Sequence, residues 1–381
     1  MPPHSPHLPQ ASLRSTKEPC SPPTSAVLPP GRERIDWADV AKGLCIVLVV
    51  LLHSTHGVEN ALNTVSWLHP FVEFARPFRM PDFFLLSGLF MARALLRDRG
   101  AYLDAKVTHF VYFYVLWTLI QVGLKETSIL ATDGANAFVL HVLNRLFVAP
   151  IGVMWFLYIL TAFFLTAWVF RRRPALLLVL SIPLHLFDDE IVATLDPWIG
   201  SAGGLLWEYC SRMVFFVTGW LGASAFFRLA AWANGSAKTA VALLVIWAAI
   251  NGALVWQGSH LTNWIGLSLG LVGAAAVVVF SSLVAPTFFG TMLRAAGRRS
   301  LIVFSSFFLW IAATRTVLLK LFPGGDAGTI ALGVFAAALL TPFVLSWLIE
   351  RTGQGRFLIE RPRWARRRKD VSSSPALQPA V

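Results

Sequence analysis

Apolar residues along this chain come in runs of helical length, separated by short polar stretches that hold most of its charge. A helix needs about 20 predominantly apolar residues to cross the hydrocarbon core of a bilayer. Runs that meet or approach this length lie at 38–56, 79–97, 107–124, 153–170, 175–187, 210–230, 239–257, 263–284, 301–321 and 328–349. The pattern predicts an all-α, polytopic integral membrane helical bundle of about ten transmembrane helices. The run at 175–187 is short and contains Pro183, which predicts a tilted or broken segment. Residues 137–150 form a further apolar stretch, too short for a clean span and read as re-entrant or interfacial.

The ends read differently. Residues 1–33 are rich in Pro, Ser and Thr and hold no hydrophobic run, so they are expected to be a disordered cytoplasmic segment and not a signal peptide. Residues 34–350 form the transmembrane domain, and 351–381 a basic cytoplasmic tail. The tail carries Arg361, Arg363, Arg366, Arg367, Arg368 and Lys369, which would sit well against anionic lipid.

Composition agrees with a lipid-facing surface. Of 381 residues 56% are hydrophobic and 14% charged, with a mean hydropathy of +0.63, against about 25% charged residues in a soluble domain. The net charge of +12 would suggest a nucleic-acid partner in a soluble protein. Here the cations cluster in alternate loops: Arg32, Arg34 and Lys42; Arg93, Arg97, Arg99 and Lys106; Arg171, Arg172 and Arg173; Arg228 and Lys238; Arg294, Arg298 and Arg299. The intervening stretch 188–208 holds Asp188, Asp189, Glu190, Asp196 and Glu208 and no Lys or Arg. This asymmetry reads as a multi-pass membrane protein with both termini in the cytoplasm, and argues against nucleic acid. Cys20, Cys45 and Cys210 are too few and too scattered for a disulfide framework or a metal site. No Gly-rich phosphate loop, zinc-protease helix or nucleophile elbow is present.

Ionisable groups within a membrane are expensive and usually functional. The first run carries a polar stripe: Asp39, Lys42, His53 and His56 share one helix face, since the eleven residues from Lys42 to His53 make about three turns. The second run opens with Arg76 and Arg79 on the side where cations are disfavoured, followed by Pro81, Asp82, Ser87 and Gly88. The first helix runs outward and the second inward, so His53 and Arg79 are expected at similar depth. Ser87 and Gly88 are small enough to let the helices approach. His suits a general base near neutral pH, and Arg can hold an anion or stabilise an oxyanion. The plainer reading stands beside this one: Lys42 snorkels to headgroups, the arginines are interfacial and the small residues serve packing. Glu208 and Arg212, four residues apart, either pair with each other or line the cavity.

At these residues the sequence resembles the membrane-bound acyltransferase family 3, bacterial O-acyltransferases that modify surface polysaccharides, lipids and antibiotics. Arg34, Asp39, Lys42 and Gly43 are similar to its opening pattern, and His53 follows the basic residue at the family's distance. The stretch from Met80 to Gly88 is similar to its second motif, Trp155–Phe156–Leu157 to the start of a central helix, and Gly297 to Leu301 to a late motif. The resemblance covers residues from about 32 to 350.

It implies transfer of an acyl group, commonly acetyl, from cytoplasmic acyl-CoA as co-substrate, with no bound cofactor and no metal. The acceptor is a hydroxyl of an envelope carbohydrate, a lipid or a small molecule. The resemblance implies a bacterial cytoplasmic (inner) membrane location, His53 as the essential His, and Arg79 with Arg76 as basic residues near the second motif. With the residues read from the chain itself, the candidate catalytic set is His53, Arg79 and Asp39, and the candidate substrate-binding set is Lys42, His56, Arg76, Asp82, Ser87, Trp155, Glu208 and Arg212. Lys42 with Arg298 and Arg299 would hold the CoA phosphates. Two departures stand out: many members carry Tyr and then His after the late motif, where residues 302–308 here have neither, and Asp82 replaces an apolar residue. The competing readings are a transporter or exporter of a polar solute and a catalytically inactive relative.

Overall fold

The computed structural model describes residues 35–366. The expectation for residues 1–33, and Arg367, Arg368 and Lys369 of the tail, fall outside them. Among the described residues every regular element is helical. The main helices are α1 (Asp36–Leu62), α2 (Arg76–Gly88), α3 (His109–Lys125), α4 (Gly134–Phe147), α5 (Trp155–Val169), α6 (Pro174–Leu186) and α7 (Asp188–Ile199). They continue as α8 (Gly203–Leu221), α9 (Ala223–Gly235), α10 (Ala237–Trp256), α11 (Asn263–Val284), α12 (Phe288–Arg298), α13 (Ser300–Leu321) and α14 (Ala327–Thr352).

Seven helical runs are long and apolar enough to cross a membrane: α1, Arg99–Lys125 ending in α3, Gly152–Val169 containing α5, α10, α11, α13 and α14. An eighth is a bent pair, the run Asp188–Leu221 and α9, which meet at 72°. The expected segment at 210–230 is therefore broken at Gly222, and its amino-terminal half begins well before residue 210. The segment expected at 79–97 is also interrupted. It stops at Gly88, and after Leu89 and Phe90 a five-residue helix, Met91–Leu95, follows. Both breaks fall at glycines, which hold a helix less well than other residues, while the hydropathy runs on without a gap. The short α6 contains Pro183, and α4 occupies the extra stretch near 137–150 with none of its residues fully buried.

α1 lies at the centre. Asp36 and Asp39 in its first turn suit the positive end of the helix dipole. Asn63 closes it in a left-handed conformation, returning its N–H to the Glu59 carbonyl. Two close helix approaches depend on glycine. A methyl on Gly43 would overlap the Leu293 carbonyl of α12, and one on Gly297 would overlap the Asp39 carbonyl of α1. The same reciprocity joins α2 to α8, where Gly88 meets the Phe216 carbonyl and Gly219 the Leu85 carbonyl. Without a hydrophobic driving force between helices in lipid, such backbone approach supplies the packing that holds them. α10 is at the opposite extreme. Only Ala240 and Asn251 are buried on it, and Leu243, Val245, Ile246 and Ile250 face outward, as a helix bathed in lipid tails would.

Polar connections tie the ends of the bundle. Glu126, just beyond α3, accepts hydrogen bonds from Arg145 Nη2 (2.9 Å) and Nε (3.2 Å) and meets His141 Nε2 at 2.6 Å. Burial works against its charge, but these partners prevail and hold the carboxyl below its ordinary range. The described part of the tail corrects one expectation. Arg361 is 6% exposed and pairs with the Asp104 carboxylate, donating also to the Asp104 carbonyl (2.9 Å). It therefore serves the fold and does not lie on a lipid surface. The buried thiols of Cys45 and Cys210 pack within the bundle.

Candidate functional site

The polar stripe of α1 divides into two groups. His53 is eleven residues from Lys42, or about 16 Å along the helix axis. Near the Asp36 end, Asp36 and Asp39 bind the basic residues of α12. Arg294 Nη1 lies 3.2 Å from Asp36, and Arg298 lies 3.6 Å from both Asp36 and Asp39. Lys42 completes the cluster, 3.5 Å from Asp39. Arg299 pairs with Glu350 at 3.4 Å. Arg298 and Arg299, expected to hold CoA phosphates, are thus engaged by acids. The close approach at Gly43 and Gly297 brings α12 to α1 and sets these pairs. Asp39, expected beside His53 in catalysis, is fourteen residues before it, about 21 Å along the axis, and is committed to Lys42 and Arg298.

Lys42 instead faces a cavity of about 250 Å³ that it shares with Lys106, His109, Ser87 and Ser300. Ile46, Phe83, Phe90, Phe110, Phe156, Phe164 and Phe304 give the rest of its wall an apolar, largely aromatic character. The ammonium of Lys106 stands 4.7 Å over the Phe164 ring, and that of Lys42 5.5 Å from the Phe90 ring. Both cations are thereby held on aromatic faces. Ser87 donates to the Phe83 carbonyl (2.8 Å) and lines the same space. Lys106 and His109 were not singled out from sequence. Lys106 entered only as an orienting loop charge, and nothing in the local pattern marks His109 beyond its being a histidine at the start of a span.

From this cavity a file of aromatic rings leads to the other end of α1. Phe156 and Phe83 touch Phe304 (4.9 and 6.3 Å between centroids), Phe304 touches Phe307 (6.0 Å), and Phe307 touches His53 (5.7 Å). His53 is half-buried, and among the described residues its ring nitrogens have no hydrogen-bond partner. Arg79 lies close enough for its charge to act on both His53 and His56. The Arg79 guanidinium is 7% exposed. It donates from Nη1 to the Val72 carbonyl at 3.3 Å, and its Nε has no partner. His53 and Arg79, the pair expected at similar depth from opposite helix directions, thus lie within electrostatic reach of each other. Around them stand two further cations not anticipated from sequence. Arg315 of α13 donates to the Gly57 carbonyl (2.9 Å), and Lys125 lies 3.8 Å over the Phe308 ring.

Of the remaining expected substrate residues, His56 stays within reach of the Arg79 charge and the others stand elsewhere. His56 stacks toward His69 (5.8 Å). Arg76 pairs with Glu73 (3.1 Å) and borders a second cavity, about 280 Å³, with Arg212, His185, Asp188, Asp189 and His260. Glu208 pairs with Arg212 at 3.2 Å, one of the two arrangements the spacing allowed, and with Trp155 lines a third cavity of about 270 Å³. Asp82 borders none of these. It is 1% exposed, with Cys45 Sγ 4.0 Å from Oδ2 and no partner for Oδ1.

The arrangement offers a base without an internal partner beside a buried cation, joined through apolar rings to a cavity with two ammonium groups. It suits proton removal and anion stabilisation at one end and retention of an anionic group at the other. A model of the family described as an acyltransferase domain matches residues 35–351, most of the chain. No curated protein and no solved structure matches.

Proposed function

This chain belongs to the acyltransferase family 3 and is a membrane acyltransferase, and we propose that it moves an acyl group, acetyl in the simplest case, from acyl-CoA to a hydroxyl of an envelope glycan, a lipid or a small molecule. The observation that supports this reading is that the Arg79 charge reaches His53, at the far end of an aromatic file from the Lys42 and Lys106 cavity.

In this reading the cavity faces the cytoplasm of a bacterial inner-membrane protein whose termini are both cytoplasmic. Lys42 and Lys106 hold the CoA phosphates by charge-assisted hydrogen bonds. The pantetheine arm runs between the helices along the aromatic rings toward His53. The distance of about 16 Å from Lys42 to His53 is within reach of a flexible arm. His53 removes the proton of the acceptor hydroxyl as its oxygen attacks the thioester carbonyl. Arg79 stabilises the oxyanion that forms. The intermediate collapses with loss of the C–S bond, the imidazolium returns its proton to the departing thiolate, and the products are the acyl ester and free CoA thiol. Attack is direct, with no acyl-enzyme.

In this scheme the acceptor hydroxyl meets His53 from the end of α1 opposite the Lys42 cavity, within hydrogen-bond reach of the imidazole. The test is CoA release from labelled acetyl-CoA in membranes carrying wild type or His53→Ala at equal abundance. Loss of release in the variant supports the scheme. Full transfer by His53→Ala would remove it, and solute uptake without thiol release would favour a transporter.

A further inference from the structure

A second cluster stands one turn beyond His53, and the acyl-transfer scheme does not use it. His56 and Glu59 lie on the last two turns of α1, and His69 begins the short helix His69–Phe74. One ring nitrogen of each histidine and one carboxylate oxygen of Glu59 all lie within 4.8 Å of one another. We propose that these three residues form a binding site for a divalent transition-metal ion of the zinc class.

The donor set selects the metal. Two imidazoles and one carboxylate suit Zn²⁺, Co²⁺ or Ni²⁺, whereas Ca²⁺ and Mg²⁺ prefer oxygen ligands alone. Three protein ligands leave a fourth position for water. Metal–ligand distances of about 2.0–2.2 Å place tetrahedral ligands about 3.3–3.6 Å apart, so side chains whose donor atoms lie within 4.8 Å of one another need close in by about 1.5 Å or less.

The surroundings are built for a cation. Glu59 is 8% exposed, so its carboxylate is not one of the acidic groups common on a wet surface. The Ser66 backbone N–H and hydroxyl both donate to its Oε1 at 2.9 Å, which leaves Oε2 directed at His69 Nδ1, 3.0 Å away. Such outer hydrogen bonds fix a ligating carboxylate in place. The site lies at the carboxy-terminal end of α1, where the helix dipole is negative. Glu73 acts on His56 with a second negative charge and Arg79 with an opposing positive one. Among the described residues His56 makes no hydrogen bond, only a ring contact with His69, so ligation would give its imidazole a partner.

The consequence is a tether. Residues 63–69 leave α1, pass Ser66 and Trp67, and return at His69. Trp67 Nε1 already donates to Asp326 (3.1 Å). An ion shared by His56, Glu59 and His69 would fasten this segment to α1 directly above His53.

The test uses the purified full chain in detergent, stripped with EDTA and titrated with Co²⁺. The expected result is one Co²⁺ per chain, visible d–d bands of a four- or five-coordinate ion, and displacement by Zn²⁺. Glu59→Gln and His56→Asn should each weaken binding at least tenfold, and His56→Asn removes no hydrogen bond on which the fold relies. Ser66→Ala should weaken it about 10- to 100-fold through the lost support of Glu59. His141→Ala, which alters a different His–Glu contact, should leave binding unchanged. Absence of saturable Co²⁺ or Zn²⁺ binding by wild type would overturn the proposal, as would binding of unchanged affinity in both His56→Asn and Glu59→Gln.

Discussion

The ring of His53 meets that of Phe308 edge to face, with centroids 5.7 Å apart and planes at 88°. With Phe307 on its other contact, the imidazole is oriented by aromatic rings and not by a carboxylate. These two residues lie within the stretch that lacks the Tyr and His found in many relatives, so the departure from the family pattern falls directly against His53. An edge-to-face pair is worth about 0.5–1.5 kcal/mol, which corresponds to about a two- to twelvefold change in rate. Phe308→Leu should lower transfer by that factor with little change in acyl-CoA KM, measured as CoA release at saturating acceptor.

Arg79 should matter more. Its guanidinium is buried with Nε unpartnered, and its charge reaches His53. Loss of an oxyanion donor costs about 10²–10³ in kcat. Arg79→Met should show that loss, and Arg79→Lys should recover little of it because the fork geometry is gone.

The two ammonium groups in the cavity make a separate prediction about the donor. Lys106→Ala and Lys42→Ala should each raise the KM for acyl-CoA while leaving kcat largely intact. The effect should shrink as salt is added, since the cavity opens to solvent and its charges are screened. Lys42→Ala should be the less clean of the two, because it also releases Asp39. Steady-state kinetics at two ionic strengths would check this.

Glycine contacts predict stability. Gly43→Ala and Gly297→Ala should lower the thermal midpoint in detergent markedly, since each added methyl meets backbone that cannot turn aside. Overpacking of this kind costs about 1–3 kcal/mol or more. Gly123→Ala has open space around the new methyl and should be neutral or raise stability by about 0.5–1 kcal/mol.

Glu126 predicts a response to acid. Its carboxyl is held below the ordinary range in the folded protein, so its contribution is fully present above the unfolded value, about pH 4.3, and fades as pH falls through the lower folded value. Thermal midpoints should drop on acidification below about pH 4.3. Glu126→Gln should start from a lower midpoint at neutral pH and show a smaller drop.

Much of the fold was legible in the sequence because span length and charge alternation are one-dimensional. The run at 263–284 coincides with α11 at both ends. The break after Gly88 was not legible, since apolar residues continue across Leu89 and Phe90. The first run was also read short. It ends at residue 56 by hydropathy, whereas α1 continues to Leu62, and that hid Glu59 from view. Within the site, opposite helix directions were enough to expect Arg79 near His53, and its charge does reach that ring. The pairing of Arg298 with Asp36 and Asp39 depends on how closely α12 approaches α1, which no spacing along the chain reveals. Lys106 and His109 reach the cavity only because the π-helical segment Asp104–Thr108 and α3 carry them there.

α1 is fastened at both extremities. Gly43 interlocks with Gly297 near its start, and Arg315 grips the Gly57 carbonyl near its finish. A shaft clamped in this way is held against sliding and tilting. In the proposed acyl-transfer scheme motion is then left to the acyl arm that travels past it: the helix acts as a stationary die, and turnover follows how readily that thread slips in and out.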